Sequence, residues 1–512
     1  MRAFTIPKKP LSKPGAGAKK KLAVVFATSE ATPYAKTGGL ADVSGALPDA
    51  LAKLGVEVHL FMPLYAVVDR KSAGIGKKKP RKITVPISAR FPEGNVHTVQ
   101  RGEGFFVHFI EHEGYFGREH LYNTPVADYP DNCERFVFFC RGVIEGIRAL
   151  DIRPDIIHAN DWQTALLPVY LNTLFKDDPL FSKTASAITI HNISFQGHFP
   201  PAHWHLTGLP WNIYASGRME FYRKINFLKG GILFADAITT VSQSYASEIK
   251  TPEFGWGLDG VLRERSASLH GVLNGIDTQV WNPASDKLIP ANYTWKDLAG
   301  KGVCKSGLLE ELGLPQGGEP LFGMVSRLTD QKGMSLLTET LDGLLDNNAK
   351  FVALGSGAPH YEEYFRALAV RRPDKVAAVI GYDEGLAHRI EAGADIFLMP
   401  SIYEPCGLNQ MYSLRYGTPP LVRATGGLND TVTEYNAATG EGNGFKFTEP
   451  TPHAFFWKTA EALAILRNRP REWGKIVHNG MIEDHSWDRS AKSYMRIYRA
   501  ALSARKTGIG GF

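Results

Sequence analysis

Short, almost uninterrupted apolar runs alternate with longer helical patterns along most of this chain, and this alternation restricts its fold more than any other feature. Such runs predict strands covered by helices on both faces, as in a parallel sheet. The first set of predicted strands comprises Leu22–Thr28, Val56–Met62, Phe105–Ile110, Asp155–Ala159, Ala187–His191 and Ala237–Ser242. The second set comprises Leu321–Ser326, Phe351–Gly355, Val376–Gly381, Ile396–Pro400 and Pro420–Ala424. Two sets predict an α/β protein with two doubly wound, Rossmann-like domains.

The segment between the two sets indicates where one domain ends and the next begins. Gly, Asn and Pro cluster between Gly271 and Asp286, which is typical of a domain linker. We therefore expect an N-terminal domain over residues 21–270 and a C-terminal domain over residues 271–485. The last stretch, residues 486–512, has a helical pattern with several aromatic residues, and we expect this helix to cross back to the first domain.

The net charge of +6 does not indicate a basic surface. Residues 1–21 hold seven cations and no acid, so the rest of the chain carries a net charge of −1. A nucleic-acid partner is therefore not predicted. Residues 1–20 are rich in Pro, Gly and Lys and are expected to form a disordered basic tail rather than a targeting peptide. A second basic run, Lys77–Lys82, is interpreted as an exposed loop before a strand at Ile83–Ser88, rather than as a nuclear targeting signal.

The length of the apolar runs and the spacing of the cysteines exclude further classes of protein. No stretch approaches 18 consecutive apolar residues, so a membrane span is not predicted. The four cysteines form no CxxC pair, which is typical of a reducing cytoplasm and argues against a disulfide scaffold or a zinc site. His198, His203 and His205 also lack the spacing of a zinc motif.

A glycine-rich turn follows the first predicted strand. Residues 28–47 read TSEATPYAKTGGLADVSGAL, in which Gly38 and Gly39 open a helix. Glycines at a helix start let backbone N–H groups approach an anion, and Lys36 adds a full positive charge. The alternative is a tight turn that needs glycine only for its backbone angles. Pro48, inside the helical pattern, predicts a kink or an irregular turn.

A second candidate anion site follows the first strand of the second set. Residues 326–333 read SRLTDQKG and place Arg327 and Lys332 on a loop at the carboxyl end of a strand, where open α/β sheets bind ligands. Two cations at such a position suit a diphosphate, because a guanidinium can engage two oxygens at once. The alternative is two exposed charges on a turn.

A carboxylate and a helix start lie close together in residues 403–410, which read YEPCGLNQ. Glu404 can accept hydrogen bonds from sugar hydroxyls, while Cys406, Gly407 and Leu408 offer free N–H groups at the helix start. Alternatively, Glu404 only caps that helix. A nucleophilic role for Cys406 is disfavoured, because it requires a neighbouring base that the spacing does not supply.

Six motifs in order resemble a known enzyme family. They are Lys36–Val43 (KTGGLADV), His158–Gln163 (HANDWQ), Ile190–Gly197 (IHNISFQG), Leu273–Asp277 (LNGID), Ser326–Gly333 (SRLTDQKG) and Tyr403–Gln410 (YEPCGLNQ). Together they look like bacterial glycogen synthase and plant starch synthase, and the likeness runs from about Lys21 to Tyr498. The resemblance implies a GT-B fold and transfer of glucose from ADP-glucose to an α-1,4-glucan. It also implies that configuration is retained, with no metal ion and no cofactor.

The resemblance assigns roles to individual residues. It places four at the reacting centre: His191 facing the glucosyl group, Arg327 and Lys332 on the diphosphate, and Glu404 on the sugar hydroxyls. On the nucleotide-sugar donor it places Lys36 and the N–H groups of Gly38 and Gly39, with Glu30 and Asp42 around the donor pocket. It also implies that Asn274 faces the glucosyl group and that Tyr382 lies at the adenine. It adds to the pocket Asn192, Cys406, Gly407, Leu408 and Asn409, with Asp161 on the acceptor side.

Three positions need comment within the resemblance. Many relatives carry Thr where this chain has Asn409, so a hydroxyl contact is lost there although the backbone N–H remains. The wider retaining GT-B pattern has a second Glu where this chain has Tyr412, as is common in the glycogen synthase branch. A His that ends a strand is often only structural, but within this motif set we interpret His191 as a residue of the cleft.

The chemistry expected at this site is stabilisation of a leaving diphosphate by fixed cations. Metal-dependent glycosyltransferases commonly use a DxD sequence, which this chain lacks. We expect the acceptor to attack on the face from which the phosphate leaves, with double displacement as the alternative. The competing functions are a UDP-glucose transferase, a sugar epimerase, a phosphorylase and an inactive glucan-binding scaffold. A dinucleotide oxidoreductase is disfavoured, because Gly355 and Gly357 are not followed by the third glycine of its fingerprint.

Overall fold

A computed structural model describes residues 21–507, which form two α/β lobes. The strands up to the linker are β1 (Ala23–Ala27), β2 (Glu57–Pro63), β3 (Arg81–Thr84), β4 (Glu93–Gly102), β5 (Phe105–Glu111), β6 (Ile156–Asn160), β7 (Ala185–Ile190), β8 (His198–Phe199), β9 (Glu220–Phe221), β10 (Lys224–Asn226), β11 (Ala237–Thr240) and β12 (Leu269–Gly271). Those after it are β13 (Leu321–Val325), β14 (Lys350–Gly355), β15 (Val376–Ile380), β16 (Ile396–Met399), β17 (Pro420–Arg423) and β18 (Phe445–Phe447). The predicted basic tail, residues 1–20, lies outside the described residues.

The N-terminal lobe is built on a nine-stranded sheet in the order β12-β11-β7-β6-β1-β2-β5-β4-β3. From β12 to β5 the strands are parallel, and the central strand β1 is fully buried because helices cover both faces. β4 and β3 extend the edge in antiparallel pairing. The strand predicted at Ile83–Ser88 is wrong in its bounds: β3 ends at Thr84, and beyond it the pairing is irregular, since Pro86 has no N–H to continue a ladder and only Val85 and Ile87 donate to the partner segment.

The C-terminal lobe is built on a six-stranded parallel sheet in the order β15-β14-β13-β16-β17-β18. β13 and β16 occupy the centre, so the loops that follow them meet at the carboxyl edge. The segment 272–298, which connects the two sheets, contains no helix and no strand. The predicted domain boundaries at residues 270 and 485 stay predictions.

The helices alternate with the strands and cover both sheets. In the first part of the chain they are α1 (Gly39–Lys53), α2 (Glu113–Phe116), α3 (Asn132–Ala149), α4 (Asp161–Thr164), α5 (Leu166–Asn172), α6 (Trp204–Thr207), α7 (Trp211–Ala215), α8 (Phe227–Phe234), α9 (Gln243–Glu248) and α10 (Asp259–Glu264). In the second part they are α11 (Ala299–Glu311), α12 (Met334–Asp346), α13 (Pro359–Arg371), α14 (Glu384–Gly393), α15 (Asn409–Arg415), α16 (Gly426–Thr431), α17 (Pro452–Asn468), α18 (Pro470–Ile482) and α19 (Trp487–Thr507). α1 continues through Pro48.

The last helix, α19, returns to the N-terminal lobe. It packs against α1 and β7, and Trp487, Tyr494 and Tyr498 are buried in the N-terminal core. The Tyr498 hydroxyl lies 2.7 Å from Nδ1 of the buried His158. The prediction of two doubly wound α/β units with a C-terminal helix crossing back is therefore confirmed.

The two lobes meet through α9 and α16. The Ser244 N–H donates to the Asp430 carboxylate at 2.9 Å, and the Asn429 side-chain amide donates to the Ser244 hydroxyl at 2.9 Å. The Glu248 carboxylate accepts the Gly426 N–H at 2.7 Å and the Thr425 hydroxyl at 3.2 Å. This polar contact holds the carboxyl edges of the two sheets face to face.

Three expectations from the sequence can be compared directly with the structure. In the part of the chain from residue 21 to residue 507, none of the helices is long and apolar enough to cross a membrane. All four cysteines are buried and unpaired. Lys77, Lys78 and Lys79 are exposed in a loop, and Arg81 and Lys82 already belong to β3.

We predict that Gly231→Ala destabilises the protein by about 1–3 kcal/mol, because α8 packs too closely for a methyl group. A Cβ at Gly231 would lie 2.5 Å from Ile188 Cδ1 and 2.8 Å from Ala165 Cβ. The matched control is Gly302→Ala in α11, where a Cβ meets nothing within 4 Å and helix propensity favours alanine by about 0.5–1 kcal/mol. Urea unfolding followed by circular dichroism measures both. Equal midpoints for the two variants would contradict the packing argument.

Candidate active site

Three neighbouring strands bring three predicted site residues to one edge of the N-terminal sheet. β1, β6 and β7 are adjacent and parallel, so the loops after them share the carboxyl edge. Glu30 lies in the loop after β1, Asp161 directly follows β6 and His191 directly follows β7. The His191 N–H donates to the Asp161 carboxylate at 2.8 Å. Asp161 also has a φ of 54°, a strained value of the kind that functional sites often hold.

The start of α1 already carries an anion that belongs to the chain. The buried Glu30 carboxylate accepts the Thr37 N–H at 2.5 Å, the Thr37 hydroxyl at 2.7 Å and the Gly38 N–H at 3.3 Å. The Tyr122 hydroxyl donates to the same carboxylate at 2.7 Å. A Cβ at Gly38 or at Gly39 would meet nothing within 4 Å, so the space in front of the helix start is open. This region therefore has the capacity for anion binding that the sequence predicts.

Lys36 and Asp42 flank the same helix start. Their side chains form an ion pair at 2.7 Å, and half of the Lys36 side chain is exposed. Burial and, to a smaller extent, the Asp42 charge raise the pKa of Tyr412 in α15 well above its ordinary value. Asp42 therefore lies near the C-terminal lobe. α1 therefore presents its first turn toward α15.

Burial sets the protonation of the two groups at the edge of the N-terminal sheet. The pKa of His191 is lowered to about 3 by burial, so the imidazole is neutral at pH 7. Its Nε2 lies 3.0 Å from Asn160 Oδ1, and the Asn160 amide nitrogen donates to the Ala27 carbonyl at 3.0 Å. Nε2 therefore carries the proton and Nδ1 is left as an acceptor. Burial also raises the pKa of Asp161 to about 7, with a smaller contribution from the Glu30 charge.

In the C-terminal lobe the loops after β13 and β16 form a second cluster. The Lys332 ammonium forms an ion pair with the Glu404 carboxylate, and both side chains are largely buried. The Ser401 hydroxyl donates to the same carboxylate at 3.1 Å. Gln331 holds the two loops together, since its carbonyl accepts the Ile402 N–H at 2.9 Å. The structure thus places one predicted cation and the predicted carboxylate in direct contact.

Two tyrosines join the N-terminal cluster to the C-terminal cluster. The Tyr245 hydroxyl accepts the Ile193 N–H at 3.0 Å and is hydrogen-bonded to the Tyr403 hydroxyl. The Tyr403 hydroxyl also donates to Asn192 Oδ1 at 3.5 Å. Asn192 follows His191, and Tyr403 precedes Glu404. These hydrogen bonds therefore place His191 of the N-terminal lobe opposite Glu404 of the C-terminal lobe.

Asn274 and Cys406 line the same region. Asn274 Oδ1 is buried and accepts no hydrogen bond from any side chain or backbone group in residues 21–507, so it is available to a ligand donor. The Asn274 N–H groups contact the Cys406 thiol, but burial raises the thiol pKa to about 12. A protonated thiol is a poor nucleophile, which agrees with the expectation from the sequence.

The start of α15 follows Cys406. Gly407 has a φ of +70°, and a Cβ there would lie 2.5 Å from Gln410 Oε1, so glycine is needed at this turn. Leu408 caps the helix without a side-chain hydrogen bond. The Asn409 side chain donates to the Val325 carbonyl at 2.7 Å and thereby ties α15 to the end of β13. The Asn409 side chain therefore has a structural contact.

Two predicted residues are not brought into these clusters. Tyr382 is 83% exposed, because it follows β15 at the edge of the sheet, two strands away from β13. Arg327 is exposed, and its guanidinium makes no hydrogen bond or ion pair within residues 21–507. Lys36 likewise contacts neither Arg327 nor Lys332 there. Both Arg327 and Tyr382 nevertheless lie in loops at the carboxyl edge of the C-terminal sheet.

Sequence reasoning missed the tyrosines that hold the site together. Tyr122 fixes Glu30, and Tyr245 joins Tyr403 although 158 residues separate them in the chain. Tyr403 lies in the motif YEPCGLNQ, and this was the one sequence feature that pointed to either tyrosine of the pair. Within residues 21–507 no group of three or more His, Cys, Asp or Glu residues is arranged to hold a metal ion.

Family models match two long segments of the chain. Residues 23–264 match the starch synthase catalytic domain, and residues 311–477 match glycosyl transferases group 1. The chain is 46% identical over 482 residues to the glycogen synthase of Koribacter versatilis, which covers 94% of this chain and 99% of that protein. It is 48% identical over 478 residues to the glycogen synthase of Anaeromyxobacter dehalogenans strain 2CP-C, covering 93% of this chain and 99% of that protein.

Two solved structures are similar to this one. The catalytic domain of starch synthase IV from Arabidopsis thaliana, bound to ADP and acarbose, has a TM-score of 0.85 and 33% identity, covering 94% of this chain and 100% of that chain. Sucrose-phosphate synthase from Thermosynechococcus elongatus has a TM-score of 0.58 at 15% identity, with coverage of 94% and 100%, which indicates a shared fold alone.

We predict that Asp161→Asn stabilises the protein increasingly as pH rises. The Asp161 carboxyl has a pKa of about 7 in the folded protein and near 3.8 in the unfolded chain. Because the unfolded chain ionises more readily, wild type loses stability as pH rises from about 4, and this loss is complete above about pH 7. The stability of the variant relative to wild type should grow between pH 4 and pH 8 by up to about 4 kcal/mol. Urea titrations at several pH values measure this difference.

The control for this pH series is Asp374→Asn, which changes an exposed carboxyl in the C-terminal lobe. Its stability difference from wild type should stay nearly constant over the same range. If the curves for Asp161→Asn and wild type run parallel, Asp161 does not titrate abnormally in the folded protein.

Proposed function

Because this chain belongs to the family of bacterial glycogen synthases and plant starch synthases, we propose that it transfers glucose from ADP-glucose to the non-reducing end of an α-1,4-glucan, with retention of configuration. The chain is a glycosyltransferase of the GT-B type. The observation that carries the proposal is the hydrogen-bonded connection of His191–Asn192 with Tyr403–Glu404, because it assembles one site from both lobes. The enzyme is proposed to act in the cytoplasm, with no nucleic-acid or membrane partner.

The nature of the donor is supported by similarity and by the chemistry of the loops. The starch synthase IV domain, 33% identical to this chain, was solved with ADP and acarbose. In this chain Tyr382 is an exposed aromatic side chain after β15, where it is free to stack on an adenine. Arg327, unpaired in the described residues, is free to bind a diphosphate with two hydrogen bonds.

Departure of the diphosphate is the step that the cations assist. Breaking the sugar–phosphate bond leaves negative charge on the diphosphate, so a fixed cation stabilises the transition state more than the ground state. Lys332 and Arg327 belong to the same loop after β13, and Lys332 is held in place by Glu404. When the donor binds, Lys332 shares its hydrogen bonds between Glu404 and the phosphate oxygens.

The start of α1 at Gly38 and Gly39 is proposed to bind the phosphates from the N-terminal lobe. The space before both glycines is open, and the dipole of α1 favours negative charge there. Lys36 supplies the cation of this loop, and Glu30 and Asp42 hold the loop in shape through the contacts described above.

The glucosyl group is proposed to lie between His191, Asn274 and Glu404. The neutral His191 offers an acceptor at Nδ1, the buried Asn274 Oδ1 lacks a donor, and Glu404 accepts from hydroxyls. Asn192 and residues 406–409 are proposed to line the rest of this pocket. Asp161 is held by the backbone N–H groups of His191 and Asn192 and is placed on the acceptor side.

Retention is proposed to follow from attack on the face that the phosphate leaves. A double displacement requires a carboxylate that is free to bond to the anomeric carbon. The carboxylates at this site are engaged: Glu404 by Lys332 and Ser401, and Asp161 by backbone amides. The leaving phosphate can then accept the proton of the attacking hydroxyl.

We expect labelled glucose to enter glycogen from ADP-glucose at least about tenfold faster than from UDP-glucose, a preference of about 1.4 kcal/mol in the barrier. Digestion of the product with β-amylase should release the label as maltose, since the new bonds are α-1,4. Incorporation from UDP-glucose alone would make the chain a UDP-glucose transferase. No incorporation from any nucleotide sugar, with intact glycogen binding, would support an inactive scaffold.

Arg327→Ala and Lys332→Ala should each lower kcat by about a hundredfold to a thousandfold, because one charge that stabilises the leaving group is lost. The control is Arg366→Ala in α13, which removes an exposed cation paired within its own helix. The thermal midpoint of Lys332→Ala is measured as well, since this change leaves Glu404 buried without its partner. Normal turnover in both site variants would overturn the assigned roles.

A further inference from the structure

Three exposed aromatic side chains lie in neighbouring loops of the N-terminal lobe. Phe195 is 61% exposed, Tyr222 is 79% exposed and Trp256 is 57% exposed. They surround the small antiparallel sheet formed by β8, β10 and β9. We call these three residues the aromatic surface. The roles proposed above do not use any of them.

The backbone that carries Tyr222 is strained. Tyr222 and Arg223 form the two-residue turn between β9 and β10, with φ values of 48° and 63°. Hairpin turns with two positive φ values strongly favour Asn and Gly, because bulky side chains destabilise that conformation. A tyrosine here also gains little from burial, since its ring is mostly in solvent. Apart from an edge-to-face contact with the Phe221 ring, packing and turn chemistry therefore give no reason for the ring at this position.

The backbone that carries Trp256 is strained in the same way. Its φ is 49°, and the following Gly257 has a φ of +80°. A Cβ at Gly257 would lie 2.8 Å from the Phe221 ring and 3.6 Å from the Tyr222 ring, so this turn packs directly on the hairpin. Exposed aromatic residues on left-handed backbone thus occur twice in contiguous loops, and strain of this kind is typical of ligand sites.

A buried glutamine holds the loops of the aromatic surface in register. Gln196, next to Phe195, donates from its amide nitrogen to the Trp256 carbonyl and to the Ile193 carbonyl, both at 3.1 Å. Its amide oxygen accepts from the Asn226 side chain in β10 at 2.7 Å. The three loops are therefore fixed to one another by a side chain that is 4% exposed.

The aromatic surface is continuous with the site between the lobes. Phe195 follows Asn192 by three residues, in the loop after β7. On the other side, Phe254 belongs to the same turn as Trp256, and its ring stacks on the Tyr403 ring with centroids 6.0 Å apart and planes 7° apart. Since Tyr403 precedes Glu404, the aromatic surface is adjacent to the proposed glucosyl site.

We propose that Phe195, Tyr222 and Trp256 bind the acceptor glucan outside the site, by stacking on the apolar faces of its glucose units. The inference rests on the proposed function, which supplies a long neutral polymer as the substrate. A pyranose ring presents C–H groups on its faces, and exposed aromatic rings fixed in position are suited to cover them.

The test uses Tyr222→Asn and Trp256→Asn in the full-length protein. Asparagine tolerates positive φ, so each change removes the ring and keeps the turn. Each variant should migrate faster than wild type in native gels that contain glycogen, and its KM for glycogen should rise about threefold to tenfold. The KM for ADP-glucose should stay unchanged, and with maltose as acceptor the rise in KM should be smaller than with glycogen.

The matched control is Trp457→Asn, which removes a tryptophan that is 59% exposed on α17 of the C-terminal lobe. It should retain the mobility and the KM of wild type. Unchanged glycogen retardation and KM in both test variants would overturn the proposal. So would a dimer that Trp256→Asn converts to a monomer without loss of glycogen retardation, because the surface would then be a subunit interface. The gel needs no turnover, so it tests the aromatic surface even if the proposed transfer reaction is wrong.

Discussion

The docking of α9 on α16 is the contact on which the site depends. Each lobe ends its parallel strands in a row of loops, and neither row contains all the groups that the proposed chemistry needs. Glu248 accepts a hydrogen bond from the start of α16, Ser244 is hydrogen-bonded to Asn429 and Asp430 within the helix, and these contacts place Tyr245 against Tyr403. Polar contacts of this kind suit a mobile joint, since they exchange with water more easily than a large apolar interface.

The strands were predictable because their physics is local. Each of the eleven strands in the two predicted sets coincides with an observed one to within two residues at either end, since a strand buried on both faces must be apolar throughout. β4 was missed because most of its residues are polar on a partly exposed edge, and Pro86 shortened β3, the strand predicted outside the two sets. The loops at strand ends were also predictable. The pairing of Tyr245 with Tyr403 was not, because it joins segments 158 residues apart and leaves no periodic pattern.

Carboxylates of the chain itself pair most of the positive groups at the site. Glu30 lies on the amides of α1, Asp42 on Lys36 and Glu404 on Lys332, so among the groups assigned to a phosphate these already have a carboxylate partner, whereas Arg327 does not. At the paired groups, binding a diphosphate is an exchange of one anion for another. The net affinity from these contacts is smaller than the sum of the new hydrogen bonds, because the old ones are given up. The neutral His191 adds no charge to this balance.

The position of α19 governs the order in which the protein can mature on the ribosome. Its aromatic side chains complete the core of the N-terminal lobe, and the Tyr498 hydroxyl satisfies the buried His158 in β6, 340 residues earlier. The first lobe to be synthesised therefore waits for the last helix, with part of its apolar surface uncovered. The six-stranded lobe, contiguous in the chain, needs no such partner and can close first. Folding from the second half toward the first is the reverse of the usual order of synthesis.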